Sequence, residues 1–208
     1  MILSKKDSEE VAHILLDINA VKLQPNNLFT WSSGQKAPIY CDNRLLLSYV
    51  KEREKIKQLF CKNITQEFQS VDCIAGVATG AIAHGMMVAS NLKLPFIYVR
   101  DKAKGHGRQN KIEGHIKKES NIVVIEDLIS TGKSSEKAIQ AIRNYGANVL
   151  GLVSIFTYEI CKDPNISTSH MSLCNYDTLI RVALDKKIIS KNEIKILSNW
   201  HDKYSLRQ

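Results

Sequence analysis

The residues best suited to chemistry lie between Glu126 and Ser135, in the order Glu-Asp-Leu-Ile-Ser-Thr-Gly-Lys-Ser-Ser. Glu126 and Asp127 are adjacent carboxylates, able to accept hydrogen bonds and to favour nearby positive charge. After Leu128 and Ile129 comes a short run of small and hydroxyl residues, Ser130, Thr131, Gly132, Ser134 and Ser135, with Lys133 among them. Upstream, Ile122-Val123-Val124-Ile125 reads as a strand buried on both faces of a parallel sheet. Downstream, Ala138, Ile139, Ala141 and Ile142 have the spacing of a helix. The hydroxyl-glycine loop therefore falls at a helix start, where unpaired backbone N–H groups and the positive dipole end suit a phosphate. The carboxylates would repel a phosphate, but they accept hydrogen bonds from sugar hydroxyls. A phosphate beside a diol is a ribose phosphate, and that is the ligand this pattern points to.

Gly132-Lys133-Ser134 also matches the tail of a P-loop. That motif needs a glycine five residues before Gly132, where this chain has Asp127. A carboxylate in a triphosphate cradle is repulsive, so a nucleoside triphosphatase is excluded.

The elements that must hold this stretch follow from the rest of the chain. Its 208 residues fit a single domain, 1–208. Apolar content of 44% and charged content of 24% are ordinary for a globular protein. The most apolar region, from Cys73 to Leu92, is broken by Gly76, Gly80, His84 and Gly85, which argues against a membrane-spanning helix. The first ten residues, MILSKKDSEE, lack the basic-then-apolar order of a signal peptide. Five cysteines, at 41, 61, 73, 161 and 174, form no Cys-x-x-Cys pair, which suggests reduced thiols in a cytoplasmic protein. The net charge of +8 is spread as lysines along the whole chain with no arginine-rich arm, so it reads as a basic surface and not as a nucleic-acid footprint.

Taken in order, Val11, Ile14, Leu15 and Ile18 share a helix face, with Ser8 as its expected cap. Short extended pieces at 21–23, 28–31 and 38–41 build a β-rich hood over roughly 20–45, closing on Asp42-Asn43-Arg44. A helix is expected from about Tyr49 to Phe68, and a buried strand at 73–77. A small-residue helix opens at Ala78-Thr79-Gly80 and runs to about Leu92, and a strand follows at 96–100. The polar, glycine-bearing segment 101–114 reads as a hinged lid, with His115 to Lys117 as a hairpin return. A further buried strand is expected at 149–157, a weakly patterned stretch at 158–174, and closing helices at 176–184 and 193–200. The β–α alternation from Cys73 to Thr157 implies a parallel sheet with helices on both faces.

The segment from Glu126 to Ser134 resembles the phosphoribosyl diphosphate signature of the type I phosphoribosyltransferases, in which the acids contact the ribose hydroxyls and the loop wraps the 5′-phosphate. Three further stretches resemble the orotate branch of that family. Phe29-Thr30-Trp31-Ser32-Ser33-Gly34 with Lys36, Pro38 and Tyr40 is similar to its hood, Gly76-Val77-Ala78-Thr79-Gly80 to its pyrophosphate loop, and Arg100, Lys104, His106 and Gly107 with Glu113-Gly114 to its catalytic lid.

The resemblance implies an α/β fold with a central parallel sheet flanked by helices, a small N-terminal hood and a flexible lid. It implies transfer of ribosyl 5-phosphate from phosphoribosyl diphosphate to N1 of orotate, with Mg²⁺ as cofactor and pyrophosphate released. Lys104, His106 and Asp127 are the implied catalytic residues. Donor contacts are implied for Arg100, Lys104, His106, Glu126, Asp127, Leu128, Ile129, Ser130, Thr131, Gly132, Lys133 and Ser134. Ser130 lies on the orotate side, Lys36 and Lys102 are secondary candidates, and no side chain is expected to ligate the metal directly. Arg100, Lys104 and His106 would neutralise charge building on the departing pyrophosphate. A homodimer with shared active sites is also implied.

This chain departs from many family members at several positions. Ser32, Gly80 and Asp101 stand where lysines are common, and Thr157-Tyr158-Glu159 stands where an arginine is common, while the hood and loop resemble a second bacterial branch. Two rivals share the fold: a purine phosphoribosyltransferase, against which the hood speaks, and a phosphoribosyl diphosphate-sensing transcriptional regulator. Only about 70 residues precede the first sheet strand, and the hood and a helix use them, which leaves little room for a helix-turn-helix.

Overall fold

The computed structural model describes residues 4–31, 34–101, 111–160 and 166–205. Its centre is a six-stranded sheet. Along the chain its strands are β5 (Cys73–Val77), β6 (Phe96–Val99), β7 (Ile112–Glu113), β8 (Asn121–Ile129), β9 (Asn148–Thr157) and β10 (His170–Asn175). Their spatial order is β10-β9-β8-β5-β6-β7. All neighbours pair in parallel except β6 with β7.

The run Ile122-Val123-Val124-Ile125 shows why β8 sits at the centre. Val123 and Ile125 enter the core on one face, Ile122 and Val124 the core on the other, and all four are fully buried. Helix α4 (Lys133–Tyr145) covers the second face with Ala138, Ile139 and Ile142. The first face is covered by α1 (Lys5–Asp17), α2 (Val50–Glu67), α3 (Ala81–Leu92), α5 (Tyr176–Asp185) and α6 (Lys191–Ser205). The small residues of α3 do allow close approach: a Cβ on Gly85 would stand 2.7 Å from the Phe96 ring and 3.4 Å from the Gly76 Cα of β5.

The hood lies outside this sheet as two short antiparallel ladders. One pairs β1 (Val21–Leu23) with β4 (Ile39–Cys41); the other pairs β2 (Phe29–Thr30) with β3 (Lys36–Ala37). A 3₁₀ turn, Asn43–Ser48, then leads into α2.

The structure corrects three local expectations. Helix α1 begins one turn earlier than expected, because the Ser4 hydroxyl accepts from the Asp7 N–H, and Ser8 is buried inside the helix. The return of the lid hairpin is Ile112–Glu113, not His115 to Lys117, since Tyr98 pairs with Glu113 and Val99 with Ile112. The weakly patterned stretch ends in a sixth sheet strand, β10. Its Ser172 hydroxyl meets that of Ser154 on β9 at 2.6 Å inside the core, so a polar residue there is satisfied without water.

Candidate active site

β8 does not stop at its apolar run but continues through Glu126 and Asp127 to Ile129, pairing Glu126 with Ser154 and Leu128 with Phe156 on β9. Alternation along the strand therefore separates the acidic pair. Glu126 is buried, 5% exposed, and both its oxygens are engaged. Oε1 accepts from the Asp127 N–H at 3.1 Å, and Oε2 from the Ser135 hydroxyl at 3.0 Å. Burial raises its carboxyl well above the ordinary range, and the adjacent Asp127 raises it further. Asp127 is half-buried and lies against the loop that leads into α3. A Cβ on Gly80 would fall 2.3 Å from Asp127 Oδ2, so in this chain the carboxylate holds its observed orientation in space that a side chain at position 80 would take.

The loop residues divide in the same way. Ile129 points its side chain into the core and gives its carbonyl to the Tyr158 N–H at 3.1 Å, so any ligand contact from it must be made by other backbone atoms. Leu128, Ser130 and Thr131 line an open cleft. Gly132 takes φ 76° at the entrance to α4. No side chain caps that helix, which leaves its first N–H groups to a ligand or water. Lys133 and Ser134 are exposed at the same helix start.

The cleft holds about 740 Å³ and has the hood as its other wall, formed by Trp31, Gln35, Tyr40, Cys41 and Arg44, with Tyr158 and Ile160 from the end of β9. Trp31 stacks on Tyr158 with ring centroids 5.0 Å apart, and its indole donates to the Ile39 carbonyl at 2.9 Å. Phe156 and Trp200 back Tyr158 edge-on. This flat aromatic wall suits a planar ring.

Asn43 joins hood to sheet: its amide donates to the Asp127 carbonyl at 2.6 Å across 84 residues of chain. His84, buried on α3, lies near both, with a backbone hydrogen bond at Asn43 and the charge of Asp127 within reach. Burial lowers its pKa despite them, so the ring is neutral near pH 7, and its Nε2 has no partner among the described residues. In the sequence, His84 is one polar residue within an apolar run and Asn43 only the middle of the hood's closing Asp42-Asn43-Arg44. Neither carries a local signal, because both acquire their place through contacts between distant segments.

The remaining candidates stand as follows. Arg100 closes β6, donates to Glu113 at 3.3 Å, and lies at the root of the lid. Its neighbour Val99 accepts from the Ala78 N–H, which ties the root of the lid to the Gly76–Gly80 loop. Lys36, on β3 of the hood next to Gln35, donates its ammonium to the Thr30 hydroxyl. Lys102, Lys104 and His106 lie outside the described residues.

Comparison with known proteins decides among the readings of this cleft. Residues 49–181 match the phosphoribosyl transferase domain. The chain is 47% identical over 202 residues to the orotate phosphoribosyltransferase of Staphylococcus epidermidis, covering 95% of this chain and all of that one. It is 50% identical over 196 residues to that of Bacillus cytotoxicus, covering 92% and 93%.

The chain belongs to the orotate phosphoribosyltransferase family.

Among solved structures of this family, the orotate phosphoribosyltransferase of Aeropyrum pernix matches with a TM-score of 0.70 at 26% identity, covering 82% of this chain and 96% of that one. The UMP synthase of Leishmania donovani shares the fold with a TM-score of 0.79 at 24% identity, covering 96% of this chain and 43% of that one. The family fold places the switch in strand order, between β5 and β8, under the Gly76–Gly80 loop and Asp127, where open parallel sheets bind ligands.

Proposed function

We propose that the protein transfers ribosyl 5-phosphate from phosphoribosyl diphosphate to N1 of orotate, yielding orotidine 5′-phosphate and pyrophosphate in de novo pyrimidine synthesis. The observation that carries this reading is the cleft itself. An aromatic wall for a planar base faces the Ser130–Thr131 loop, with Asp127 next to that loop in the chain. The 5′-phosphate is held by the uncapped start of α4 and the loop hydroxyls. The Asp127 carboxylate accepts from ribose hydroxyls and favours the cationic sugar that develops as the bond to pyrophosphate lengthens. Glu126 reaches a ribose only by giving up its bonds to Ser135 and the Asp127 N–H. In the present geometry it braces the turn beneath Asp127.

Arg100, with Lys104 and His106 of the lid, neutralises charge on the departing pyrophosphate, and Lys102 is a further lid candidate. Asp127, half-buried beside the Gly80 loop, fits a hydrated Mg²⁺ carried on the donor's diphosphate. Such an ion supplies charge neutralisation on the diphosphate and needs few protein ligands. The protein works as a cytoplasmic homodimer in which the lid of one subunit completes the site of the other. Among the described residues no helix is long and apolar enough to cross a membrane.

The test is orotate-dependent release of pyrophosphate with Mg²⁺ present. Release with adenine, guanine or hypoxanthine instead of orotate would favour the purine reading. The likeness to an adenine phosphoribosyltransferase, at 19% identity, is one of fold alone.

A further inference from the structure

An orotate molecule brings a carboxylate as well as a ring, and that carboxylate must be received in a cleft lined by Leu128, the residue that follows the acidic Asp127 in the chain. Among the described residues that line the cleft, Gln35, Ser130 and Thr131 are polar and uncharged, and Arg44 is the one cation. We infer that Arg44 receives the carboxylate of the pyrimidine and so sets the preference for orotate over bases that lack it. The inference rests on the proposed function.

Three features support it. The first is position along the cleft. The carboxylate of orotate sits on the carbon next to N1, the atom that bonds to the sugar, so its receptor must lie towards the ribose end. Arg44 lines the cleft and directly follows Asn43, whose amide reaches the carbonyl of Asp127.

The second is anchoring. Arg44 follows Asn43, the residue clamped onto the Asp127 carbonyl. Its guanidinium is held side-on by Asp42, Nε to Oδ1 at 2.7 Å and Nη2 to Oδ2 at 2.8 Å. These two groups hold each other ionised. A guanidinium has five N–H donors in a rigid fork. Asp42 occupies one edge and leaves the Nη1–Nη2 edge for a second, end-on carboxylate. An arginine already fixed on one side loses little freedom when a ligand takes the other.

The third is the surrounding electrostatics. Tyr158, which lines the cleft beside Trp31, is an uncharged phenol, and burial pushes its hydroxyl further above the ordinary phenol range. No other cation stands among the described lining residues to share the task.

The experiment compares binding of orotidine 5′-phosphate and uridine 5′-phosphate, which differ only in the carboxylate, to wild type, Arg44→Gln, Arg44→Lys and Asp42→Asn by calorimetry. The KM values for orotate and phosphoribosyl diphosphate are measured alongside. Loss of a charge-assisted pair lowers the preference for orotidine 5′-phosphate in Arg44→Gln by roughly 10- to 100-fold. Affinity for uridine 5′-phosphate and KM for the donor stay within about twofold, on the same argument that only the carboxylate contact is lost. Arg44→Lys keeps part of the preference, and Asp42→Asn loses less than Arg44→Gln. An unchanged preference in Arg44→Gln overturns the inference, as does an equal loss for both nucleotides. A wild-type protein that releases no pyrophosphate with orotate overturns instead the function on which the inference rests.

Discussion

Glu126 offers a direct test of how the acidic pair is divided. Its carboxyl is 5% exposed, accepts from Ser135 and from the Asp127 N–H, and is pushed up by burial and then by Asp127. A carboxyl whose pKa is higher in the fold than in the unfolded chain takes up a proton on folding. Its contribution to stability is complete below the unfolded value, 4.5, and declines as pH rises towards the folded value. The decline is about 1.4 kcal/mol per pH unit for one proton. Glu126→Gln keeps the shape and removes the titration, at the cost of leaving one amide hydrogen unpaired near Ser135, about 1–3 kcal/mol. The variant is therefore the less stable protein near pH 4.5, and the gap narrows by about 1.4 kcal/mol for each unit of higher pH until the folded pKa is passed. Other shifted groups, such as His84 and Glu159, are common to both proteins and cancel in the difference. Urea unfolding of the two proteins at pH 5, 6, 7 and 8 measures it. Parallel stability profiles would refute the reasoning. They would mean that Glu126 is already an anion in the fold, able to serve ribose hydroxyls as Asp127 does.

Other outcomes follow from the same site. Asp127→Asn loses transfer by about 10²–10³ in kcat, the usual cost of one aimed electrostatic group, with little change in thermal midpoint; near-normal turnover would reduce Asp127 to a structural role. Gly80→Ala places a methyl 2.3 Å from Asp127 Oδ2 and turns that carboxylate away, so kcat falls while stability changes by only the cost of a new rotamer, about 1 kcal/mol. Wild-type turnover in Gly80→Ala would show that the observed orientation of Asp127 is not the catalytic one. For the shared site, mixing an inactive Lys104→Ala chain with an inactive Asp127→Asn chain restores part of the activity, because one site of each mixed dimer escapes both defects. Mixed dimers without recovery would mean that each chain carries its own complete site.

The parts of this site that were legible in the sequence are those whose cause is local. Four consecutive apolar residues before Glu126 can only satisfy both faces of a strand, and hydroxyl residues with Gly132 after it mark a helix start open to an anion. The strand's length was not legible: Leu128 and Ile129 look like loop residues until their pairing with Phe156 and Thr157 on β9 is known. That extension matters, because the pleat it imposes buries Glu126 and presents Asp127. Strand β10 was missed because Ser172 breaks its apolar run, and only the partner hydroxyl of Ser154 makes it tolerable in a core.

The base wall was legible only in pieces. Trp31 and Tyr158 lie 127 positions apart in the chain, yet their rings stack at 5.0 Å. Asn43 reads as an ordinary turn residue, but its bond to the Asp127 carbonyl is what makes a flap of short strands into one side of a pocket. The hood ladders pair no more than three residues each, too few to be stable alone. Their position therefore depends on the Trp31–Tyr158–Trp200 packing and on the Asn43 clamp. The same Asn43 clamp that helps to seat the hood also holds the backbone of Asp127, the proposed catalytic carboxylate. The hood wall of the cleft and the backbone that carries Asp127 thus share one hydrogen bond, and a change at Asn43 reaches both.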